Sequence, residues 1–346
     1  MSFQVSIERI ERIWPHPNAD RLELTALAGK GYQLIVPRGR HQPGEEVLLF
    51  PLDALLPPAL AEQLGVAGKL AGSKHNRVKT VRLRGEISQG LLGPLSLLGA
   101  LLDRSPAAIT AHLGVTKFES PEELDLAGTR VALPPGQSVY DIESADESSE
   151  ALTTLMDQPV HVTEKIEGRN LAVSLLTSRL WVCQRNFAIE PAEGQRNVYW
   201  EVAERDRLTA FARHLGADGE REVRVYAELI GPKVQGNYYG SARFRSLLFD
   251  LKIDRRWVPP DEFRALARAF FGDESGLVPL LVSGLRLGEW LAGRSVRAAS
   301  EGTSQLAPVA REGIVIRPQA EQFSRPLRGR LILKQRAPNY LAETDR

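Results

Sequence analysis

The stretch VTEKIEGRNLAVSLL, residues 162–176, contains the features that decide the fold of the second half of the chain. Lys165 lies between apolar runs, Gly168 follows three positions later, and the next residues predict a strand over 170–176. A lysine in such surroundings can lose its proton, so Lys165 is a candidate nucleophile for attack on phosphorus. The alternative is a surface lysine at a turn, and a K-x-x-G motif alone favours that alternative.

Four further islands in the second half place charged or aromatic residues inside apolar strands. They are YAELIG (226–231), LFDL (248–251), EGIVIR (312–317) and LKQR (333–336). Alternation along the last island puts Lys334 and Arg336 on one strand face. Each island has an ordinary alternative: Glu228 on an outward-facing edge, Phe249 in the core, and the two cations on a solvated edge.

Taken in order, these islands supply what nucleotide transfer from a triphosphate requires. An aromatic ring can stack on a base, one carboxylate can bind ribose hydroxyls, and another can bind a divalent metal. Oxygen ligands suit Mg²⁺ or Mn²⁺. Two cations can neutralise the α-phosphate and stabilise the charge that develops there.

The five islands K-I-E-G, A-E-L-I-G, L-F-D-L, E-G-I-V-I and L-K-Q-R resemble motifs I, III, IIIa, IV and V of the covalent nucleotidyltransferases. That superfamily contains the ATP-dependent RNA and DNA ligases and the mRNA capping enzymes. The RNA ligases are the most similar, because VTEKIEGRN resembles their lysine motif, CQRN (183–186) their arginine-bearing strand, and GPKVQGNYY (231–239) the loop after motif III. The resemblance covers roughly residues 136–346. Glu167 stands where relatives often carry Asp or His, and Arg336 replaces a common second lysine.

The resemblance implies ATP as the donor, Mg²⁺ or Mn²⁺ as the metal, and a lysyl-AMP intermediate. It assigns catalysis to Lys165, Lys334 and Arg336, and metal binding to Glu312 and Asp250. The residues that it places around ATP or AMP are Glu164, Lys165, Ile166, Gly168, Asn170, Arg185, Glu228, Phe249, Glu312, Lys334 and Arg336. We expect the metal, Lys334 and Arg336 to lower the pKa of Lys165, because like charges disfavour an ammonium.

The first hundred residues predict short strands separated by glycine and proline turns. The expected strands are 3–13, 21–28, 31–37, 46–50 and 77–84, a spacing typical of a small barrel or sandwich. The segments HPNADRL (16–22), QPGE (42–45) and LRGEISQG (83–90) resemble the OB-fold domain of tRNA-binding proteins.

OB barrels bind single strands and nucleic-acid backbones, so the basic residues near 79–84 are candidate nucleic-acid contacts. We assign this role to Lys79, Arg82 and Arg84, with Arg82 and Arg84 on one face, and add Arg185 from the second half. The alternative is a strand edge that charge protects from aggregation.

The expected fold class is α+β: an N-terminal OB-fold β-barrel over residues 1–125, followed by a nucleotidyltransferase (ATP-grasp-like ligase) domain of antiparallel sheets flanked by helices over 126–346. Helices are predicted at 105–114, 196–214 and 260–271. The acidic segment 142–150 is predicted to be a solvated helix start or a linker.

The composition excludes several other classes of protein. The chain has 346 residues, with 44 Lys and Arg against 43 Asp and Glu, so it is no polycation, although a local basic groove remains open. Cys183 is the single cysteine, which excludes an intrachain disulfide and a cysteine-based zinc site and fits a reducing compartment. There is no apolar run of about 18 residues and no secretory signal, so we expect a cytoplasmic protein without a membrane span. A monomer is the default expectation for its oligomeric state.

The order of the domains resembles a bacterial RNA ligase of the Deinococcus type, with the OB domain first. That resemblance implies RNA repair: the sealing of a 3′-OH RNA end to a 5′-phosphate at nicks in RNA or RNA/DNA hybrid duplexes. DNA ligases and capping enzymes usually place an OB domain after motif V, and we expect no room for one after Arg336. The alternatives are a capping-type guanylyltransferase, a DNA ligase, and a non-catalytic RNA-binding protein that acts through its OB domain.

Overall fold

The computed structural model describes residues 3–118, 128–194, 196–216 and 221–344. The strands are β1 (Ser6–Pro15), β2 (Leu22–Leu27), β3 (Gln33–Pro37), β4 (Glu46–Phe50), β5 (Ala54–Leu55), β6 (Thr80–Leu83), β7 (Glu86–Gln89), β8 (Leu91–Gly93), β9 (Thr116–Lys117), β10 (Gly128–Val131), β11 (Glu143–Ser144), β12 (Pro159–Lys165), β13 (Arg169–Leu176), β14 (Arg179–Cys183), β15 (Ala188–Pro191), β16 (Val223–Ile230), β17 (Arg245–Ile253), β18 (Arg256–Trp257), β19 (Leu280–Arg286), β20 (Gly313–Pro318), β21 (Phe323–Ser324), β22 (Gly329–Arg330) and β23 (Leu333–Arg336).

The helices are α1 (Pro58–Gln63), α2 (Pro106–His112), α3 (Ser149–Met156), α4 (Val198–Arg205), α5 (Leu208–Leu215), α6 (Pro260–Phe271), α7 (Leu287–Leu291), α8 (Val296–Ser300) and α9 (Pro338–Thr344). Short 3₁₀ turns lie at Leu95–Leu98, Ala145–Glu147 and Gln235–Asn237. None of the helices in the described parts of the chain is long and apolar enough to cross a membrane.

The chain divides into two compact units. The described residues up to 118, with 145–149 and 338–344, form the first unit, and those of 128–144 and 150–337 form the second. The predicted boundary at 125/126 lies outside the described residues and stays a prediction. The acidic segment 142–150 is more ordered than expected, because it contains β11 and the start of α3, and Asp146 is buried.

The first unit is an OB fold, as predicted. Its main antiparallel sheet has the order β3-β2-β1-β4-β8, with the pairs β6–β7 and β5–β9 beside it. One apolar cluster gathers around Leu48, Phe50 and Ile109, and another around Ile10 and Leu34. Burial of these clusters drives the folding of the unit, and β4 contributes to both, because Leu48 and Phe50 belong to the first cluster and Val47 and Leu49 to the second.

Two of the sequence segments typical of OB domains meet at the turn between β6 and β7. The Nδ1 atom of His16 accepts the backbone N–H of Asn18 at 3.1 Å, so Nε2 is the nitrogen that donates to the Leu83 carbonyl at 3.1 Å. The Asn18 side chain donates to the Arg84 carbonyl at 3.0 Å. Arg84 and Gly85 have φ of 47° and 98°, the positive values of a type I′ hairpin turn. The expectation that Arg82 and Arg84 share a strand face is therefore wrong, since Arg84 is a turn residue.

The second unit contains two main sheets. The long sheet has the order β10-β15-β14-β13-β16-β17-β18, and the short sheet has the order β11-β23-β20-β12-β19. A large apolar cluster lies on the long sheet and includes Leu171 and Val225 with residues of α4, α5 and α6, such as Phe211 and Phe263. These helices therefore cover one face of the long sheet.

The helix predictions are confirmed in two places and corrected in one. Ser105 caps α2 by accepting the Ala108 N–H, and α6 spans 260–271 as predicted. The single helix expected at 196–214 is divided into α4 and α5 at Arg207, whose φ is 63°. The carboxylate of Asp206 there accepts the N–H and the hydroxyl of Ser246 at 2.7 and 2.9 Å. Both helices pack on the same core, so the apolar period continues across the break.

A His16→Ala variant tests the link between the two OB segments. We expect the free energy of unfolding to fall by about 1–2 kcal/mol, because one hydrogen bond is lost and the turn loses a support. Urea unfolding and hydrogen exchange of the Leu83 and Arg84 amides measure the effect. His75→Ala is the control, because His75 contacts the Leu70 carbonyl from an exposed position. Equal losses in both variants would contradict a special role for His16.

Candidate active site

Three neighbouring strands of the short sheet bring the sequence islands together around Gly313. Lys165 ends β12 directly opposite Gly313, and Arg336 ends β23 opposite the same glycine on its other side. Glu312 is the residue before β20, and its carbonyl accepts the Ala337 N–H at 2.8 Å. A Cβ atom at position 313 would lie 2.0 Å from the Gln335 carbonyl oxygen, so only glycine permits this close approach.

The ammonium of Lys165 forms an ion pair with Glu312, with 2.6 Å between Nζ and Oε1. Burial by itself would lower the pKa of Lys165, but the negative charges of Glu312, Glu167 and Glu228 outweigh it and raise the pKa. We expected a metal, Lys334 and Arg336 together to lower this pKa; among the chain's own groups the carboxylates outweigh the cations, and the effect of a metal stays a prediction. Three carboxylates lie close enough to Lys165 to hold its proton.

Glu228 lies on β16 of the long sheet, directly across from Asn170 on β13. Cross-strand partners project from the same face, so these two predicted nucleotide contacts are neighbours. Burial raises the pKa of Glu228 to about 8, against the opposing charge of Lys165. A Cβ atom at position 168 would lie 2.5 Å from the Leu229 carbonyl and 2.7 Å from Glu228 Cγ. Gly168 therefore lets the K-x-x-G turn pack against the strand that carries Glu228.

Lys334 and Arg336 project from one face of β23, as alternation predicted, while Leu333 and Gln335 are buried. Arg336 Nε lies 3.7 Å from Glu312 Oε1, so it contacts the same carboxylate as Lys165. Lys334 Nζ lies 3.6 Å from Asp141 Oδ1. Burial lowers the pKa of Lys334 to about 8, and the charges of Lys165, Arg185 and Arg336 lower it while Asp141 opposes them.

Arg185 lies in the turn between β14 and β15, where the Gln184 N–H donates to the Phe187 carbonyl, and so is not on a strand. Its guanidinium lies 3.1 Å from Asp141 Oδ2. Asp141 was not predicted as a site residue, because the acidic segment beside it has the composition of a linker or a solvated helix start.

An apolar wall adjoins these charged groups. Buried Ile166 belongs to a cluster with Ile230, Leu247 and Tyr239, and Phe249 packs against this cluster from a half-buried position. The hydroxyl of Tyr239 accepts the backbone N–H of Glu167 at 2.8 Å. Tyr239 therefore fixes the turn that follows Lys165. The only sequence signal for it is its place in the GPKVQGNYY segment.

Glu164 is buried, and its carboxylate is directed to the Ser304 side chain and the Gln305 backbone. Its Oε2 accepts the Gln305 N–H at 3.0 Å, and burial raises its pKa. Oε1 has no hydrogen-bond partner among the described residues. Its assignment to the nucleotide site stays a prediction.

The assignment of Asp250 as a metal ligand is corrected by the structure. Its carboxylate is fully buried and accepts hydrogen bonds from Arg317 at 2.9 Å, Arg330 at 2.6 Å and the Tyr140 hydroxyl at 2.7 Å. Burial would raise its pKa, but Arg330 and Arg317 lower it. Both carboxylate oxygens already accept hydrogen bonds, which leaves no oxygen for a metal. The bond from Arg317 links β17 of the long sheet to β20 of the short sheet.

The remaining carboxylates fit a divalent metal. Glu312 Oε2 is buried without a hydrogen-bond partner in the described part of the chain, and the negative charge of Glu167 acts on the same lysine. Of the residues that the structure describes, no three His, Cys, Asp or Glu side chains form a cluster able to hold a metal by themselves. One or two carboxylates completed by water and phosphate oxygens is the usual arrangement for Mg²⁺.

One of the candidate nucleic-acid residues of the first unit, Arg82, makes hydrogen bonds within that unit. Arg82 donates to the Gly85 carbonyl at 3.1 Å and to the Asn339 side chain at 3.3 Å. Lys79 is half-buried and Arg84 is exposed on the hairpin turn. Their role in binding stays a prediction.

Comparisons with known proteins identify the family and the fold. A family model described as RNA ligase matches residues 158–335, and one described as an OB-fold domain matches residues 4–95. No curated protein sequence matches the chain. Solved structures of Naegleria gruberi RNA ligase superpose over both full chains: the form with PPi has a TM-score of 0.83 at 24% identity, and a mutant with AMP and Mn has 0.82 at 23%. A mutant with ATP and Mn has a TM-score of 0.81 at 23% identity and covers 99% of this chain and 100% of its own. At these identities the matches establish the fold.

The lowered pKa of Lys334 predicts a pH dependence of anion binding. With a pKa of about 8, most Lys334 side chains carry the positive charge at pH 7. At pH 9 only roughly one-tenth of them are still charged. We expect the affinity for inorganic pyrophosphate to fall over this range. Isothermal titration measures it.

The matched variant is Lys334→Arg, because a guanidinium stays charged throughout. Pyrophosphate itself loses protons over this range in both experiments, so we expect the affinity of the wild type relative to this variant to fall between pH 7 and pH 9. A fall of equal size in both proteins would assign the dependence to another group.

Proposed function

The chain belongs to the RNA ligase family, and on that premise we propose that it is an ATP-dependent RNA ligase that forms a lysyl-AMP intermediate. We further propose that it seals nicks in RNA or RNA/DNA hybrid duplexes, in the manner of the Deinococcus type. The observation that carries the proposal is the convergence of Lys165, Glu312 and Arg336 around Gly313, with Lys334 on the same strand face as Arg336. A surface lysine at a turn would not have these neighbours.

The first step is the attack of Lys165 Nζ on the α-phosphorus of ATP. The ammonium first gives one proton to a neighbouring carboxylate or water. As the P–N bond forms, the nitrogen loses a second proton to water and keeps the third, while the P–O bond to pyrophosphate breaks and pyrophosphate leaves. Lys334 and Arg336 bind the α-phosphate oxygens and stabilise the charge that develops on them. The solved Naegleria structures with ATP, AMP, Mn and PPi support a donor and a divalent metal of these kinds.

Other residues of the second unit position the nucleotide. Glu228 and Asn170 lie side by side on the long sheet, where a carboxylate raised to a pKa of about 8 can exchange hydrogen bonds with ribose hydroxyls. Phe249 stacks on adenine from the apolar wall that contains Ile166. Positioning and charge neutralisation are the main demands of phosphoryl transfer.

Glu312 and Glu167 are the residues that would hold the metal. A divalent cation bound there would supply positive charge that lowers the pKa of Lys165 and neutralises phosphate oxygens. Until Lys165 loses its proton, its ion pair with Glu312 fixes the position of its ammonium group.

The later steps use the nucleic acid. AMP passes from Lys165 to a 5′-phosphate, which forms a 5′–5′ pyrophosphate end, and the RNA 3′-OH then attacks and expels AMP. The OB unit supplies backbone contacts through its basic hairpin. RNA is the substrate expected from the family, and action at a nick is the proposal.

Lys165→Ala tests the nucleophile. We expect labelling of the protein by [α-³²P]ATP to fall to background, because no amine remains to form the P–N bond. Lys165→Arg is expected to fail as well, since its guanidinium stays protonated. Mass spectrometry of the wild-type protein should find one AMP adduct on Lys165.

Lys252→Ala is the matched control, because Lys252 is another half-buried lysine of the second unit and lies over the Trp257 ring at 5.2 Å. Its labelling should equal that of the wild type. Retained labelling of Lys165→Ala, or labelling by GTP in place of ATP, would overturn the proposal.

The double variant Lys79→Ala/Arg84→Ala tests the OB hairpin. We expect slower sealing of a nicked duplex and unchanged self-adenylylation. The plot of log binding constant for the duplex against log salt concentration should become less steep by about one unit for each lost phosphate contact. Arg104→Ala, an exposed arginine of the same unit, is the control. Unchanged sealing would remove the hairpin from the binding surface.

A further inference from the structure

One carboxylate joins two cations that the proposed reaction uses. Asp141 Oδ2 lies 3.1 Å from the Arg185 guanidinium, and Oδ1 lies 3.6 Å from Lys334 Nζ. Arg185 comes from a turn of the long sheet, and Lys334 from a strand of the short sheet. The carboxylate of Asp141 therefore holds two positive charges from different sheets, those of Arg185 and Lys334, close to each other.

The backbone around Asp141 is fixed on both sides. The preceding Tyr140 packs its ring against Tyr226 and Phe249 and donates its hydroxyl to Asp250. The following residues enter β11, where Ser144 lies opposite Lys334. The Ile142 N–H donates to Asp141 Oδ1 at 3.1 Å. This carboxylate is presented by its neighbours and does not belong to a freely moving linker.

The contact is also partly exposed to solvent, most of all at Asp141. The side chain of Asp141 is 54% exposed, that of Arg185 is 43% and that of Lys334 is 31%. Exposed ion pairs contribute about 0–1 kcal/mol to stability, so this contact holds the fold only weakly. A multiply charged anion can reach the same two cations and exchange for the carboxylate.

We propose that Asp141 is a positioning residue that occupies the place of two phosphate oxygens between Arg185 and Lys334, and that the polyphosphate of the nucleotide or free pyrophosphate displaces it. This inference rests on the proposed function, which assigns the two cations to ATP. Asp141 keeps the cations aligned while the site has no nucleotide, and it weakens polyphosphate binding so that pyrophosphate is released after transfer. The binding energy of the anion is reduced by the ion pairs that it must replace.

Asp141→Asn tests the inference through the binding of inorganic pyrophosphate to the full-length protein. The amide has the shape of the carboxylate but no charge, so we expect the dissociation constant to fall between about twofold and tenfold. The difference should shrink as NaCl is raised. Asp141→Glu keeps the charge and should bind like the wild type.

Asp254→Asn is the matched control, because Asp254 is 53% exposed and pairs with Arg221 at 3.2 Å. Its affinity should equal that of the wild type. In a Arg185→Gln background, the effect of Asp141→Asn should become smaller, because one of the two shared cations is gone. A merely structural role would instead lower the melting temperature and leave pyrophosphate affinity unchanged or weaker.

The inference is overturned if Asp141→Asn binds pyrophosphate no more tightly than the wild type, or if neither protein binds it. Should Asp141→Asn not fold, Asp141→Ser is measured in the same way and the same outcomes apply. The proposed function fails separately, if the wild-type protein takes no AMP from ATP. If the wild type is adenylylated and Asp141→Asn binds pyrophosphate with unchanged affinity, this inference fails and the proposed function stands.

Discussion

The closeness of three backbones at Gly313 is the constraint on which the site depends. Because position 313 has no side chain, the strands that carry Lys165, Glu312 and Arg336 can approach until a Cβ would lie 2.0 Å from a carbonyl oxygen. The ion pair of 2.6 Å between Lys165 and Glu312 follows from that approach. A bulkier residue would part the strands, and the charges would then face water rather than each other.

The charged groups of the site divide into two sets with opposite pKa shifts. Burial and neighbouring cations lower the pKa of Lys334, while three carboxylates hold that of Lys165 above its ordinary value. Glu228 is shifted upward, to about 8, mainly by burial. Such separated values are typical of sites where charge is rearranged during a reaction. In this chain Lys165 is therefore held in its protonated form beside Glu312.

Not every charged island of the sequence belongs to that site. The LFDL strand suggested a metal ligand at Asp250, yet two arginines and a tyrosine surround its carboxylate. Buried charges require partners because isolated ones are expensive to remove from water, and removing one member of such a set typically costs 3–5 kcal/mol. Asp250 therefore joins the two sheets, and Tyr140, which it binds, fixes the segment that presents Asp141.

The sequence by itself determined many of the strands, because alternation and apolar runs are local features, but it did not predict β12, which carries Lys165, or β19. It also determined α6 and the shared face of Lys334 and Arg336. It also determined the glycines and charges of the five islands and the likeness of the first half to an OB domain. Only the tertiary structure decided which charges meet. Arg207 breaks a helix whose apolar period is continuous, Arg84 becomes a turn residue, and Asp141 joins Arg185 to Lys334 across two sheets. The periodicity of a local stretch does not predict such features, because they depend on residues that are distant in the chain. The energy of an ion pair depends on the distance between its charges, and that distance is set only when the chain folds.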